Sequence, residues 1–424
     1  MSKKKKLIPE LRFPDFKNEG EWETNSIGKV FKSFSGGTPS TSEKAYYGGD
    51  IPFIRSAEIN KDATELFITD KGLKNSSAKL VNKGDLLVAL YGANSGDSAI
   101  SKINGAINQA ILCLQSEYSN AFTYNFLTLK KDWIVSKYIQ GGQGNLSGDI
   151  VKSISIPFPK KLEQQKIASC LSSLDDLIEA HSQKLELLKD HKKGLMQNLF
   201  PQEDEKVPKY RFKEFEKDGN WVEKSLIDTA DKKVKWSFTG GPFGSNLKAS
   251  DYTSEGIRII QLQNIGDGEF NDEYKIYTSE EKADELLSCN IYAGEIILSK
   301  MGDPVGRACI IPNKLKRCVM ASDGIRLVVN ETKYSKYFVY SLINSKPIRE
   351  AIENKATGST RKRIGLDELR NIELIMPKSI SEQIKIANCI SSLDKSIVAQ
   401  ALKIEQLKEH KKGLMQGLFP KVID

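Results

Sequence analysis

Histidine is nearly missing from this chain. There are three in 424 residues, His181, His191 and His410. All three fall in two stretches of helical pattern near the middle and the end of the chain, so acid–base or triad catalysis built on histidine is excluded from the rest. The six cysteines (Cys113, Cys170, Cys289, Cys309, Cys318, Cys389) form no CxxC pair and no metal-finger spacing. They read as reduced core residues. No GxGxxG follows a strand pattern, no GxxxxGK[ST] offers a phosphate cradle with its lysine, and no Asn/Asp-Pro-Pro-aromatic run marks amino methylation. The pairs Gly92/Gly96 and Gly302/Gly306 lack a following Lys-Ser/Thr and read as tight strand exits. No apolar run approaches the roughly 18–20 residues that span a bilayer, and the basic start MSKKKKLIPE has no hydrophobic stretch behind it. The chain is therefore expected to be cytoplasmic, with no membrane partner. Charge is not strongly of one sign: 63 basic against 55 acidic side chains leave +8, which suits a polyanionic partner without demanding one.

What the chain does have is a long sentence written twice. Lys166–Pro201, KIASCLSSLDDLIEAHSQKLELLKDHKKGLMQNLFP, returns as Lys385–Pro420, KIANCISSLDKSIVAQALKIEQLKEHKKGLMQGLFP, with about two-thirds of positions identical at constant offset. A second echo opens each half: PELRFPDFKNEGEW and PKYRFKEFEKDGNW share Arg12/Arg211, Phe13/Phe212, Phe16/Phe215, Gly20/Gly219 and Trp22/Trp221. A repeat of roughly two hundred residues is far longer than any solenoid unit, so each copy is a domain with its own core. The expected division is 1–157 (first domain), 158–201 (first connector), 202–375 (second domain) and 376–424 (second connector).

The connectors carry a narrow apolar seam. Ile167, Leu171, Leu174, Ile178, Leu185, Leu188, Leu195 and Leu199 follow a 4-3-4-3 spacing broken at His181 and Lys192. Ile386, Ile390, Leu393, Ile397, Ile404, Leu407, Leu414 and Leu418 repeat it, broken at Gln400 and Lys411. Such seams bury little alone, and since the copies match in length and phase, each is expected to pack antiparallel on the other. Some 35–38 helical residues make rods of about 55 Å, long enough to fix a distance. Ser379-x-x-Glu382 reads as a capping box at the second start, and Gly194 and Gly413 loosen the ends before Pro201 and Pro420. The HKKG clusters put cations near the helix C-termini, where they offset the macrodipole.

Between the connectors, strand patterns dominate the middle of each half and helical patterns its end, so the fold class is α+β. FSGGTPSTSEKAYYGGDIPFIRSAEI (Phe34–Ile59) matches FTGGPFGSNLKASDYTSEGIRIIQLQNI (Phe238–Ile265), and GDLLVALYGANSGDSAI (Gly84–Ile100) matches GEIILSKMGDPVGRACI (Gly294–Ile310). The scaffold repeats while the loop chemistry differs: Arg55 stands opposite Gln261, Tyr91 and Asn94 opposite Met301 and Asp303, Gln143 and Asn145 opposite Arg361 and Arg363. Arg, Gln, Asn and Lys are the side chains that reach base edges in a major groove. The expected DNA-facing set is Ser35, Thr38, Ser40, Lys44, Tyr47, Arg55, Tyr91, Asn94, Gln109, Gln143 and Asn145 in the first half. In the second it is Ser237, Ser245, Asn246, Lys248, Tyr252, Gln261, Gln263, Lys300, Asp303, Arg307, Arg361 and Arg363. A polar loop residue can equally well be merely solvated.

Taken together, these motifs resemble the specificity subunit of type I restriction-modification complexes along essentially the whole chain. The resemblance implies two target recognition domains that read a bipartite, asymmetric site on double-stranded DNA. It implies that an antiparallel pair of helices holds them apart, and that methyltransferase (modification) subunits dock on those helices. A restriction subunit with ATP-driven translocation and cleavage is implied as a further partner. S-adenosylmethionine, ATP and Mg²⁺ would then be bound by those partners, with no cofactor, no metal and no catalytic residue in this chain. The rods match the scale of DNA turns of about 34 Å. Two other readings stay open: a nuclease or methyltransferase using the acid-rich Asp267–Glu273 stretch for a metal, and an interaction scaffold whose domains bind proteins.

Overall fold

The computed structural model describes residues 6–138, 145–358 and 361–421. Contacts divide the chain into two compact units, Met1–Gln183 with Ala401–Asp424, and Lys184–Gln400, a division that cuts through the middle of both long helices. Each unit is a layered α+β domain joined to half of each connector.

In the first unit, strands Lys32–Ser35, Ile111–Gln115, Leu86–Ala89 and Ser98–Ile100 form an antiparallel sheet in that order. A second sheet orders Phe67–Ile68, Tyr47–Ile54, Gly105–Ile107 and Lys79–Val81, its two central strands parallel. The second unit repeats this plan. Phe238–Gly240, Gly324–Leu327, Ile296–Ser299 and Ala308–Ile310 form one sheet; Ile276–Thr278, Ile257–Ile260, Arg317–Met320 and Asn290–Tyr292 form the other, with Tyr252–Thr253 added at its edge. The parallel pair recurs as Ile257–Ile260 with Arg317–Met320. An antiparallel ribbon ties the start of each domain to its end, Glu23–Ser26 to Ser155–Phe158 and Val222–Ser225 to Glu373–Met376.

The strand Leu86–Ala89 is buried on both faces, which is why it reads as an unbroken apolar run. Leu87 and Ala89 face Ile54, Val81 and Ile107 between the two sheets. Leu86 and Val88 face the helix Asn120–Tyr138 and the connector residues Ile167, Leu171, Met415 and Leu418. In the second unit Ile297 and Ile296 divide the same way. Phe122 lies against Trp22 and Phe419, as Phe338 lies against Trp221 and Phe200, so the domain helices also correspond.

Pairing register corrects one sequence equivalence. Phe34 and Phe238 head the similar motifs FSGG and FTGG, yet Ser33 pairs with Leu114 while Phe238 pairs with Leu327. Leu114 and Leu327 in turn face Leu86 and Ile296. Phe238 thus corresponds to Ser33, one residue before Phe34, and a one-residue slip turns a side chain to the other face. Phe34 packs between the sheets; Phe238 packs on the helix side.

The connectors are helices Lys161–Leu199 and Ile380–Leu418, 39 residues each, about 58 Å long. They continue through Gly194 and Gly413 without a break. The expected capping box forms only in part. Ser379 Oγ accepts from the Ser381 N–H at 3.2 Å, but Glu382 turns away to a guanidinium, a stronger partner than a backbone N–H. Among the described residues, no helix is long and apolar enough to cross a membrane.

Candidate nucleic-acid interface

One end of the paired sheets collects the loops of the first unit. The Gly36 N–H donates to the Asn108 carbonyl, the Leu90 N–H to Ala110, and the Leu146 N–H to Leu90. Because Ile54 and Ile107 end parallel neighbours, Arg55 leaves the sheet at this same end. Thr38 Oγ1 donates to Gln109 Oε1 at 2.7 Å, and Asn145 Oδ1 accepts from the Gly92 N–H at 3.3 Å beside exposed Tyr91 and half-buried Asn94. Ser35 ends its strand here. Ser40 and Lys44 are exposed on the loop that leads away to Tyr47, whose hydroxyl donates to the Pro39 carbonyl at 2.6 Å. Gln143 lies outside the described residues.

Arg55 is heavily engaged. Its Nε and Nη2 reach the Glu58 carboxylate at 3.0 Å and Nη2 also reaches Glu65 at 2.5 Å, which raises the guanidinium pKa; among the described residues these bonds leave Nη1 uncommitted. The same Arg55 bond, helped by backbone N–H donors and Thr64, holds the buried Glu58 carboxyl down at about 2.

The second unit gathers the corresponding loops. The Gly241 N–H donates to Gly324, Ala321 to Ile260, Lys300 to Asp323 and Ile364 to Lys300. Met301–Gly302 pairs with Lys362–Arg363, and Arg363 Nη2 holds Asp323 at 2.8 Å. Arg361 and Asp303 are exposed beside them, and Arg307 lies half-buried within reach of Gly302. Gln261 takes the place of Arg55: its N–H donates to Asn264 Oδ1 at 3.0 Å, as the Arg55 N–H does to Glu58, and its side chain contacts the Tyr252 hydroxyl at 3.4 Å. Gln263, Ser245, Asn246 and Lys248 are exposed. Ser237 is not brought to this cluster. It precedes Phe238 at the far end of its strand, where its carbonyl accepts from Val328. Of the acids in Asp267–Glu273, Asp267 is paired with Arg349 and Asp272 with Arg258 and Lys314. No group of three metal-ligating side chains occurs among the described residues.

The seam residues of the connectors are all buried or half-buried. Its two lysine interruptions have a physical reason the sequence reading missed. Lys192 pairs with Asp394 at 2.6 Å in the second unit, and Lys411 with Asp175 at 2.6 Å in the first. The pairs are copies of each other, and with Ile167 and Leu171 sharing a core with Met415 and Leu418, the helices run antiparallel within the unit. Asp394 also accepts from the Tyr337 hydroxyl; Ala121 stands at the matching place in the first domain and offers none.

A second missed device anchors each helix start. Arg12 forks onto Glu163 at 2.8 Å, Arg211 onto Glu382 at 2.7 and 2.9 Å, and both carboxylates are only 1% exposed. Each arginine pKa is raised, first by this bond. Trp221 Nε1 adds a bond to Glu382 at 3.1 Å, whereas the buried Trp22 Nε1 has no hydrogen-bond partner among the described residues. The repeated Arg12/Arg211 and Glu163/Glu382 were the available signal.

The sequence model described as the type I restriction modification DNA specificity domain matches residues 19–190 and 257–409. The type I restriction enzyme MjaVIII specificity subunit of Methanocaldococcus jannaschii is 24% identical over 420 residues, covering 96% of this chain and 93% of that one. The EcoR124I/EcoR124II specificity subunit of Escherichia coli is 25% identical over 170 residues, 38% of this chain and 42% of its own. The crystal structure of a type I restriction-modification S subunit from M. genitalium superposes with a TM-score of 0.60 at 18% identity, covering 98% of this chain and all of the other, and shares the fold.

Proposed function

We propose, because the chain belongs to the type I restriction-modification DNA specificity family, that its two sheet domains read the two parts of a bipartite, asymmetric site in the major groove. The chain confers DNA sequence specificity through two recognition domains. In the finer reading, residues 1–157 and 202–375 each read one half-site. The connectors, 158–201 and 376–424, receive modification subunits, and a restriction subunit completes the complex. The partners then bind S-adenosylmethionine, ATP and Mg²⁺, and this chain recognises without catalysing.

The observation that carries this reading is a repeated sheet order that ends, at the same strand exits, in loops of different chemistry: Arg55, Gln109 and Asn145 against Gln261, Asp323 and Arg363. One scaffold with two loop sets suits two different half-sites. Exchange of residues 208–375 for the corresponding domain of a relative tests it. Mapping of methylated adenines should show one half-site changed and the other intact. A chimera that changes both halves or neither defeats the modular reading. A protein-binding scaffold is separated by salt: DNA binding that weakens steeply as salt rises belongs to phosphate contacts.

A further inference from the structure

Phe243 is 83% exposed, and no other large apolar side chain among the described residues is as bare. It is not on a slack loop. Gly241 is hydrogen-bonded to Gly324 and sits so close that a Cβ there would lie 1.8 Å from the Ala321 carbonyl oxygen. Pro242 and Leu247 are buried on either side, and the Asn246 N–H closes a turn onto the Phe243 carbonyl at 2.8 Å. The ring is thus presented by a pinned turn, next to the segment whose Asp323 holds Arg363.

The first unit supplies a contrast. The strand register places Gly36 at the position of Gly241, and Gly36 too is pressed on a carbonyl oxygen, that of Ile107, one residue before the counterpart of Ala321, at 1.7 Å for a built Cβ. Two residues on, Thr38 occupies the place of Phe243 and bonds Gln109. At one address the first domain offers a polar group and the second an apolar ring. Water gives such a ring no partner, and the apolar group that a major groove displays is the C5-methyl of thymine.

We propose that Phe243 determines specificity by packing on a thymine methyl in the half-site read by the second domain. This rests on the DNA reading of the loops given above. The experiment uses the chain assembled with its modification subunits. Once the methylated site is mapped, each thymine of the second half-site is replaced in turn by deoxyuridine, which removes only the methyl. One position should weaken wild-type binding about fourfold, the transfer free energy of one CH₂ group. Phe243→Ala should bind thymine and uracil sites equally, and Phe243→Leu should restore part of the preference. The ring's exposure means that the alanine variant should melt as wild type does. A half-site without thymine overturns the proposal, as does an absent uracil penalty or one that persists in Phe243→Ala. A Phe243-dependent rise in 2-aminopurine fluorescence without a uracil penalty also overturns it, in favour of insertion between bases. Failure of the parent reading looks different: Arg363→Ala and the domain exchange would then also leave the methylated site unchanged.

Discussion

In the first unit Arg12 grips Glu163 and Asp175 meets Lys411; in the second Arg211 grips Glu382 and Asp394 meets Lys192. At the strand exits the likeness ends. Thr38 binds Gln109 where Phe243 stands bare, and Arg55 is bound by two glutamates where Gln261 meets an asparagine and a tyrosine. The shared contacts are buried or lie against the connectors, where each side chain is constrained by several neighbours at once. The differing ones face solvent at the sheet end, where a substitution disturbs few contacts and alters what can be bound. The uneven likeness of the two copies therefore has a packing cause.

The comparison breaks most readily at the clamps. Arg12→Leu and Arg211→Leu each strand a carboxylate that is 1% exposed, and each should lose about 3–5 kcal/mol in urea denaturation. Arg211→Leu should be the milder, because Trp221 still bonds Glu382 while Trp22 offers Glu163 nothing comparable. Equal losses would show that the indole bond contributes nothing. A charge in the seam comes next: Leu174→Asp or Leu393→Asp should cost about 2–4 kcal/mol and abolish co-purification of a modification subunit. Undiminished yield with a folded Leu174→Asp variant would move the docking platform elsewhere.

Acid separates the two units at one equivalent position. Glu58 is held at about 2, below its ordinary 4.5, so its stabilisation is complete above pH 4.5 and disappears as pH falls from there through 2. With a half-exposed arginine partner the contribution is about 1–2 kcal/mol. Asn264 holds the corresponding place in the second unit and does not titrate. Glu58→Gln should flatten the decline in melting temperature between pH 4.5 and 2; an unaltered decline would place the acid lability elsewhere. The smallest effect is expected at the cross-helix pairs. Lys192→Leu should cost about 1 kcal/mol, since Asp394 is 26% exposed, and Lys411→Leu close to nothing, since Asp175 is 46% exposed. The reverse order in thermal melts would mean that the two bridges are not the graded pair their burial indicates.

Much of this architecture is legible in the sequence because the connectors obey one strong period. The 4-3-4-3 rows gave helices and phase, and even the interruptions at Lys192 and Lys411 had repeated aspartates, Asp175 and Asp394, as visible partners. Sheet register was not legible in the same way. FSGG and FTGG look alike, but composition is blind to a one-residue slip that sends Phe34 and Phe238 to opposite faces. The loops were legible in their polarity and not in their commitments. That Glu65, ten residues beyond Arg55, would take up its guanidinium depends on how the strand Phe67–Ile68 folds back beside Tyr47–Ile54.

The bond from Tyr337 to Asp394 bears on heredity. Asp394 belongs to the connector, and Tyr337 to the part that an exchange of recognition domains would carry away. An incoming second domain must bring its own hydroxyl to that address or leave the aspartate to Lys192 alone, whereas a newcomer at the first domain, where Ala121 stands, meets no such toll. Lineages that trade halves should therefore accept strangers at the first position more freely than at the second.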